Sequence, residues 1–302
     1  MMISVIIVTY NSSVEITECI GSLTEAVKQY HYEIIVVDNN SSDNTCEVIE
    51  SSFPGIKLYR NNRNRGFASG ANRGAAEASG EYLLFLNPDT RVPENCIDEP
   101  MRYLSRNSRT GIIGPRLVDS RGKFLPESKR GVPTPAAALF RFTMLYRLFP
   151  HSPVINRYYM GGSDSSKTVL ADAVTGAFMF MERAIFEDAG GFDEEYFMYG
   201  EDIDLCMRVS AMGYDIVYLP SVTVTHHKGK SGGMRSYRGI REFYRSMHIF
   251  TNNHFSSRYS RITILLTHLA IRILFILSLI KRVPLLAKRD LGQRSRTGHH
   301  KA

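Results

Sequence analysis

Three apolar, mostly β-branched or leucine-rich runs each stop at a cluster rich in Asn, Asp or Ser. Val5 to Thr9 ends at Tyr10-Asn11-Ser12-Ser13, Glu33-Ile34-Ile35-Val36-Val37 ends at Asp38-Asn39-Asn40-Ser41-Ser42-Asp43, and Glu81 to Leu86 ends at Asn87-Pro88-Asp89. Helical stretches separate them: one after Ser12, where Ser12 and Glu15 have capping-box spacing, one through about Ser51, and an Ala-rich one from Gly66 to Ala78. Ile56 to Tyr59 adds a third short strand in chain order. Runs without polar alternation, alternating with helices, describe a parallel sheet covered on both faces. Such sheets bind ligands beyond the carboxyl ends of their strands. One Asx-rich turn can serve only to satisfy backbone groups. Three that converge on one rim point to a binding edge.

From about Thr110 the pattern is less regular. Gly114-Pro115-Arg116-Leu117 suggests a strand entering a new layer, and Gly122 to Gly162, with five prolines, reads as a long excursion with one short helix. Ala173 to Met181 is strand-like, Arg183 to Ala189 is helical, and Ile216 to Leu219 and Val222 to Thr225 are further strand segments. No internal repeat is present.

Residues 192 to 208 place Asp193, Glu194, Glu195, Glu201, Asp202 and Asp204 among large apolar side chains. Acids beside apolar walls can have shifted pKa values and act as general bases. The same acids after Gly200 could equally favour a helix N-terminus, with Arg208 four residues after Asp204 as an ion-pair partner.

Charge divides the chain unevenly. Residues 235 to 302 hold 14 Lys and Arg against 2 Asp and Glu, which leaves residues 1 to 234 with 23 against 28 and a formal charge of −5. Within the basic part, Ile262 to Ile280 is mostly apolar but carries His268 and Arg272, and Arg258, Arg261, Lys281, Arg282, Lys288 and Arg289 flank it. A central arginine argues against a simple spanning helix. The pattern suggests a helix lying on an anionic membrane surface, or else one packed on protein. No nucleic-acid motif accompanies the cations. The four cysteines form no paired motif, and the N-terminus lacks the features of a signal peptide, so a cytoplasmic setting is expected.

The ordered motifs Val8-Thr9-Tyr10-Asn11, Val37-Asp38-Asn39-Asn40-Ser41-Ser42-Asp43, Asn64-Arg65-Gly66-Phe67-Ala68-x-Gly70-x-Asn72-x-Gly74, Asn87-Pro88-Asp89, Gly190-Gly191-Phe192-Asp193-Glu194, Glu201-Asp202-x-Asp204-Leu205 and His226-x-x-Gly229-x-Ser231 resemble the family-2 glycosyltransferases. The resemblance is strongest to the rhamnosyltransferases, with galactofuranosyltransferases close behind. It implies a GT-A nucleotide-diphospho-sugar transferase fold, mainly parallel with helices on both faces, in residues 1–234. The donor half would occupy about 1–110 and the acceptor half about 111–234, with a basic helical extension at 235–302.

The implied donor side comprises Thr9, Tyr10, Asn11, Asp38, Asn40, Arg65, Gly66, Asn72, Asn87 and Asp89. Asp38 can accept the imide N–H of uracil or thymine, and Arg65 and Gly66 offer a cation and an open backbone to phosphates. Asn72 and Gly74 could instead serve close helix packing. Asp89 and His226 are the implied ligands of Mg²⁺ or Mn²⁺, although the aspartate usual two residues before Asp89 is Asn87 here. Asp202 is the implied catalytic base of an inverting displacement, while Glu201, Asp193 and Glu194 are assigned to the acceptor or sugar. A dTDP or UDP sugar and a glycan or lipid-linked acceptor are the expected partners, at the cytoplasmic membrane face; a homo-oligomer is left open. A galactofuranosyl or other UDP-sugar transferase is the alternative, followed by a non-catalytic nucleotide-sugar scaffold. No Gly-x-Gly-x-x-Gly follows the first strand, which disfavours a dinucleotide fold.

Overall fold

The computed structural model describes residues 2–227 and 236–280, apart from the side chains of Arg141 and Phe142. Gly229, Ser231, Lys281, Arg282, Lys288 and Arg289 therefore lie outside the described residues. The chain divides into two units, Met1–Ser231 and Gly232–Ala302.

The first unit opens with β1 (Met2–Thr9), α1 (Glu15–Val27), β2 (His31–Asp38), α2 (Thr45–Ser52), β3 (Lys57–Arg60), α3 (Phe67–Ala76) and β4 (Tyr82–Leu86). β5 (Thr90–Arg91), α4 (Asp98–Leu104), β6 (Thr110–Val118), β7 (Lys129–Arg130), α5 (Pro135–Phe142) and α6 (Leu145–Leu148) follow. It closes with β8 (Val169–Leu170), β9 (Ala173–Val174), β10 (Phe178–Glu182), α7 (Arg183–Asp188), α8 (Glu201–Ala211) and β11 (Asp215–His226). Among the described residues, nine strands form the main sheet in the order β3-β2-β1-β4-β10-β6-β11-β5, with β8 beside β11. The first four strands are parallel, β10 runs against both neighbours, and β6 and β11 are parallel again.

β1 is central and buried along nearly all its length, as a continuous apolar run requires. α1 covers one face with Ile16, Ile20, Leu23 and Val27, spaced three and four residues apart. α3 covers β1 more closely through Gly70 and Gly74. A Cβ on Gly70 would lie 2.7 Å from Val8 Cγ1, and one on Gly74 would lie 2.5 Å from Ile6 Cγ2. At the strand ends away from the Asx-rich rim, buried Glu33 accepts from Ser4 Oγ (2.6 Å), Ser79 N (2.6 Å), Ser79 Oγ (2.7 Å) and Lys57 Nζ (2.6 Å). Burial alone would raise the Glu33 carboxyl, but Lys57 and these donors outweigh it and hold it down to about 2.

Four local expectations change. The Gly114 segment enters no new layer, because β6 lies inside the main sheet between β10 and β11. Ala173 to Met181 breaks into β9 and β10, and β9 leaves the main sheet to pair with β7. The two C-terminal strand segments are one strand, β11, whose register slips between Leu219 and Thr223, around Pro220. Ser12 is not a helix cap. Its N–H is held by Thr45 Oγ1 at 2.9 Å and its hydroxyl turns to Tyr10 O, so α1 begins at Glu15 without a side-chain cap.

In the second unit, α9 (Tyr237–Phe255) and α10 (Arg261–Ile280) pack together. Tyr244 Oη meets Ser278 Oγ at 2.6 Å, and the His248 and His268 rings stack with Nδ1 atoms 2.6 Å apart. α10 has a mean hydropathy of 2.2 over an 18-residue window and is long and apolar enough to cross a membrane, and Ile262, Leu265, Leu266, Leu269, Ile276 and Ile280 are exposed.

Candidate active site

Parallel pairing sets Thr9 beside Asp38 at the ends of β1 and β2. Both are buried; the Thr9 hydroxyl has no hydrogen-bond partner among the described residues, while both Asp38 oxygens accept from Ser41. Tyr10 is 40% exposed above them. Asn11 and Asn40 both have positive φ, 51° and 65°, a conformation Asn tolerates better than most residues. Asn11 joins the two strand-end turns, accepting from Ser42 N at 2.7 Å and donating its own N–H to Ser41 Oγ at 2.8 Å. Asn40 remains exposed. Buried Asn39, absent from the expected set, donates to Gly66 O at 2.9 Å and accepts from Asn61 at 2.8 Å, fixing the loop that carries exposed Arg65.

Gly66 has a further constraint. Its φ is +89°, and a Cβ there would lie 2.1 Å from the Phe197 carbonyl oxygen, which accepts from Phe67 N at 2.9 Å. Asn72, expected on the donor, spends its amide elsewhere. It donates to Phe192 O at 2.8 Å and Glu194 Oε1 at 3.1 Å, and accepts from Phe192 N at 2.9 Å. The donor-side loop and helix are thereby fastened to the acidic segment. Asp193 accepts from Glu195 N at 2.9 Å, shaping the turn within that segment.

Asp89 and His226 come together through backbone pairing. β5 pairs Thr90 with His226, and His227 N donates to Asp89 O at 2.8 Å, so Asp89 Oδ1 stands 3.1 Å from His226 Nε2. His227 points elsewhere, with Nε2 3.5 Å from Glu18. Both Asp89 and His226 are 8% exposed, and His226 Nδ1 has no partner among the described residues. An oxygen and an imidazole nitrogen this close are a donor pair that fits a divalent cation needing further ligands from outside the protein. No group of three or more acidic, His or Cys ligands exists among the described residues.

The acidic helix α8 begins after a tight reversal in which Tyr199 (φ 73°) and Gly200 (φ 91°) are both left-handed. Asp204 pairs with Arg208 at 2.7 Å, as its spacing suggested. Asp202 is buried and highly engaged: Oδ2 accepts from Arg130 Nη2 at 2.6 Å and Gly176 N at 2.9 Å, and Oδ1 accepts from Ile203 N at 2.8 Å. Glu201, 7% exposed, leaves Oε2 without a partner among the described residues. Burial first, and then the Asp202 charge, push its carboxyl up to about 8. A two-residue strip connects this corner to the Asp89 turn, because Ala177 O accepts from Asn87 N at 3.0 Å while adjacent Gly176 donates to Asp202. Arg130 could not be found from spacing, since it lies in the irregular stretch, 72 residues from Asp202.

A family model described as Glycosyl transferase family 2 matches residues 4–188. The chain belongs to this family. A second model, the N-terminal domain of galactosyltransferase, matches residues 157–230, which contain α8 and β11. This glycosyltransferase is 29% identical over 263 residues to the N-acetylglucosaminyl-diphospho-decaprenol L-rhamnosyltransferase of Mycobacterium tuberculosis, covering 82% of this chain and 83% of that protein. It is 27% identical over 248 residues to rhamnosyltransferase WbbL of Escherichia coli, covering 78% and 89%. Its GT-A fold is shared with the mannosyltransferase PcManGT of Pyrobaculum calidifontis in complex with GDP-Man and Mn²⁺, at a TM-score of 0.56, 18% identity, and coverage of 96% and 75%.

Proposed function

We propose that this transferase moves rhamnose from dTDP-rhamnose to a lipid-linked glycan acceptor in cell-surface polysaccharide synthesis, inverting the anomeric centre. The observation that carries the reading is the 176–177 strip, which bonds to the Asp89 turn on one side and to Asp202 on the other. A donor held by the strand ends would then have its diphosphate near Asp89 and its anomeric carbon toward Asp202. The rhamnosyltransferase relatives, one named for a decaprenol-linked substrate, support the sugar and the acceptor class.

In this reading Thr9, Tyr10, Asn11, Asp38 and Asn40 line the base and ribose, and Arg65 approaches the phosphates. Asn87, Gly66 and Asn72 hold that side in shape, while Asp193, Glu194 and Glu201 border the acceptor. Asp202 takes the proton of the acceptor hydroxyl as its oxygen bonds to the anomeric carbon. The anomeric C–O bond to diphosphate breaks, and the electron pair leaves with the phosphate oxygen. Asp89 and His226 would hold Mg²⁺ or Mn²⁺, which neutralises charge on the leaving diphosphate when bound. Transfer from dTDP-rhamnose is expected to be lost with a chelator and restored by either metal; full activity in metal-free buffer would count against this pair. Faster transfer from a UDP-hexose than from dTDP-rhamnose would favour the alternative suggested by the galactosyltransferase match.

The second unit would hold the enzyme at the cytoplasmic membrane face. The exposed apolar side of α10, with exposed Arg258, Arg261 and Arg272, supports interfacial binding. The full chain is expected to float with anionic liposomes and a chain ending at residue 231 to remain behind. Equal flotation of both would refute this role for the second unit.

A further inference from the structure

Asp202 and Glu201 are adjacent buried acids at the start of α8, and among the described residues Asp202 alone of the two makes a direct ion pair, with Arg130 at 2.6 Å. An ionised carboxylate offers about four lone-pair directions. On Asp202, Arg130 and Gly176 use two on Oδ2 and Ile203 uses one on Oδ1. Among the described residues one direction remains, on Oδ1.

Arg130 is held in place as well. It is 8% exposed, its Nη2 also donates to Val174 O at 2.8 Å, and β7 pairs it with Ala173. We propose that Arg130 is the positioning residue for transfer: it keeps the negative charge of the acidic pair on Asp202 and leaves a single Oδ1 direction for the acceptor hydroxyl. Two adjacent buried carboxylates do not both ionise readily, so a cation beside one assigns the proton to the other. The raised Glu201 carboxyl agrees with that assignment.

Among the described residues the other groups around the pair do not compete for this role, and buried Tyr196, pushed up by burial and by the neighbouring acids, is a neutral phenol. Asp204 is paired with Arg208, the Cys206 thiol is pushed up to about 12 by burial and stays neutral, and the Tyr158 and Tyr199 phenols carry no cation to the acids. The inference rests on Asp202 being the base. It adds the residue that makes Asp202, rather than Glu201, available as one.

Transfer by full-length Arg130→Gln and Arg130→Lys proteins, measured from pH 5 to 9 with donor binding followed separately, tests this. Arg130→Gln should lower kcat at pH 7 about 30-fold or more and move the acid limb of kcat/KM upward by about one pH unit or more, because the limb reports the pair as a whole. Donor affinity should stay within about threefold, and Arg130→Lys should return the limb toward the wild-type position. A purely structural role would lower activity without moving the limb, and an unmoved limb in Arg130→Gln overturns the proposal. Carboxyl carbon NMR of the wild-type protein decides the matter if the variants do not fold. Asp202 ionised and Glu201 protonated at pH 7 supports it, and the reverse overturns it. Full turnover in Asp202→Asn would instead remove the base assignment itself, so the two failures are distinguishable.

Discussion

Asp202→Asn is expected to lower kcat for transfer about 10³-fold, the middle of the range for loss of a general base. The substitution preserves shape and one oxygen but removes the charge that accepts the proton. Donor affinity should change by no more than about threefold, because the residues proposed for the nucleotide lie on other elements. Stability should also fall. Arg130 would keep an amide oxygen as a partner but lose its counter-charge, so the cost should sit at or below the low end of the roughly 3–5 kcal/mol seen when a buried pair loses one partner. Thermal unfolding and isothermal donor titration, measured beside turnover with a verified acceptor, separate these effects. Unchanged turnover would refute Asp202 as the base.

Gly66→Ala should have the largest effect on the fold of the site. The new Cβ would stand 2.1 Å from Phe197 O and 2.8 Å from Phe197 C, both backbone atoms, at a φ of +89° that side chains rarely adopt. Steric overlap and backbone strain together are expected to cost about 3–5 kcal/mol, with transfer falling to background. Gly70→Ala is the natural comparison, since its Cβ would meet the end of a Val8 side chain at 2.7 Å. Repacking there should cost about 1–3 kcal/mol. Urea unfolding of both variants checks the order, and wild-type stability in Gly66→Ala would mean that the Phe197 carbonyl does not pass over Gly66.

Features set by local sequence were the most legible. Strand ends rich in Asx residues identify a rim from the sequence alone, because an apolar run and its polar stop are neighbours along the chain. Asp204 and Arg208 are readable for the same reason, being one helical turn apart. The Asp202–Arg130 pair is not, since it depends on β7, inside the irregular 122–162 stretch, pairing with β9 outside the main sheet, and no periodicity encodes that pairing. Asn72 shows a different limit. Its motif identifies a family position, but the same amide could serve a ligand or a backbone, and only the fold reveals that Phe192 and Glu194 take its hydrogen bonds. Gly114 to Leu117 reads as a strand entering a new layer, but layer membership depends on distant partners: β6 pairs with β10 at Ile112 and Ile113 and with β11 along its length.

The fastening of residues 66–72 to 192–197 limits how this protein could exchange parts with its relatives. Phe67 N to Phe197 O and the three Asn72 bonds make the two segments one mechanical piece although about 120 residues separate them. A chimera that imports a foreign 61–74 loop and helix to change donor preference would inherit a mismatched seat for the acid-bearing turn. Recombination here should succeed only when both segments travel together, so donor choice and acceptor activation are expected to evolve as a unit.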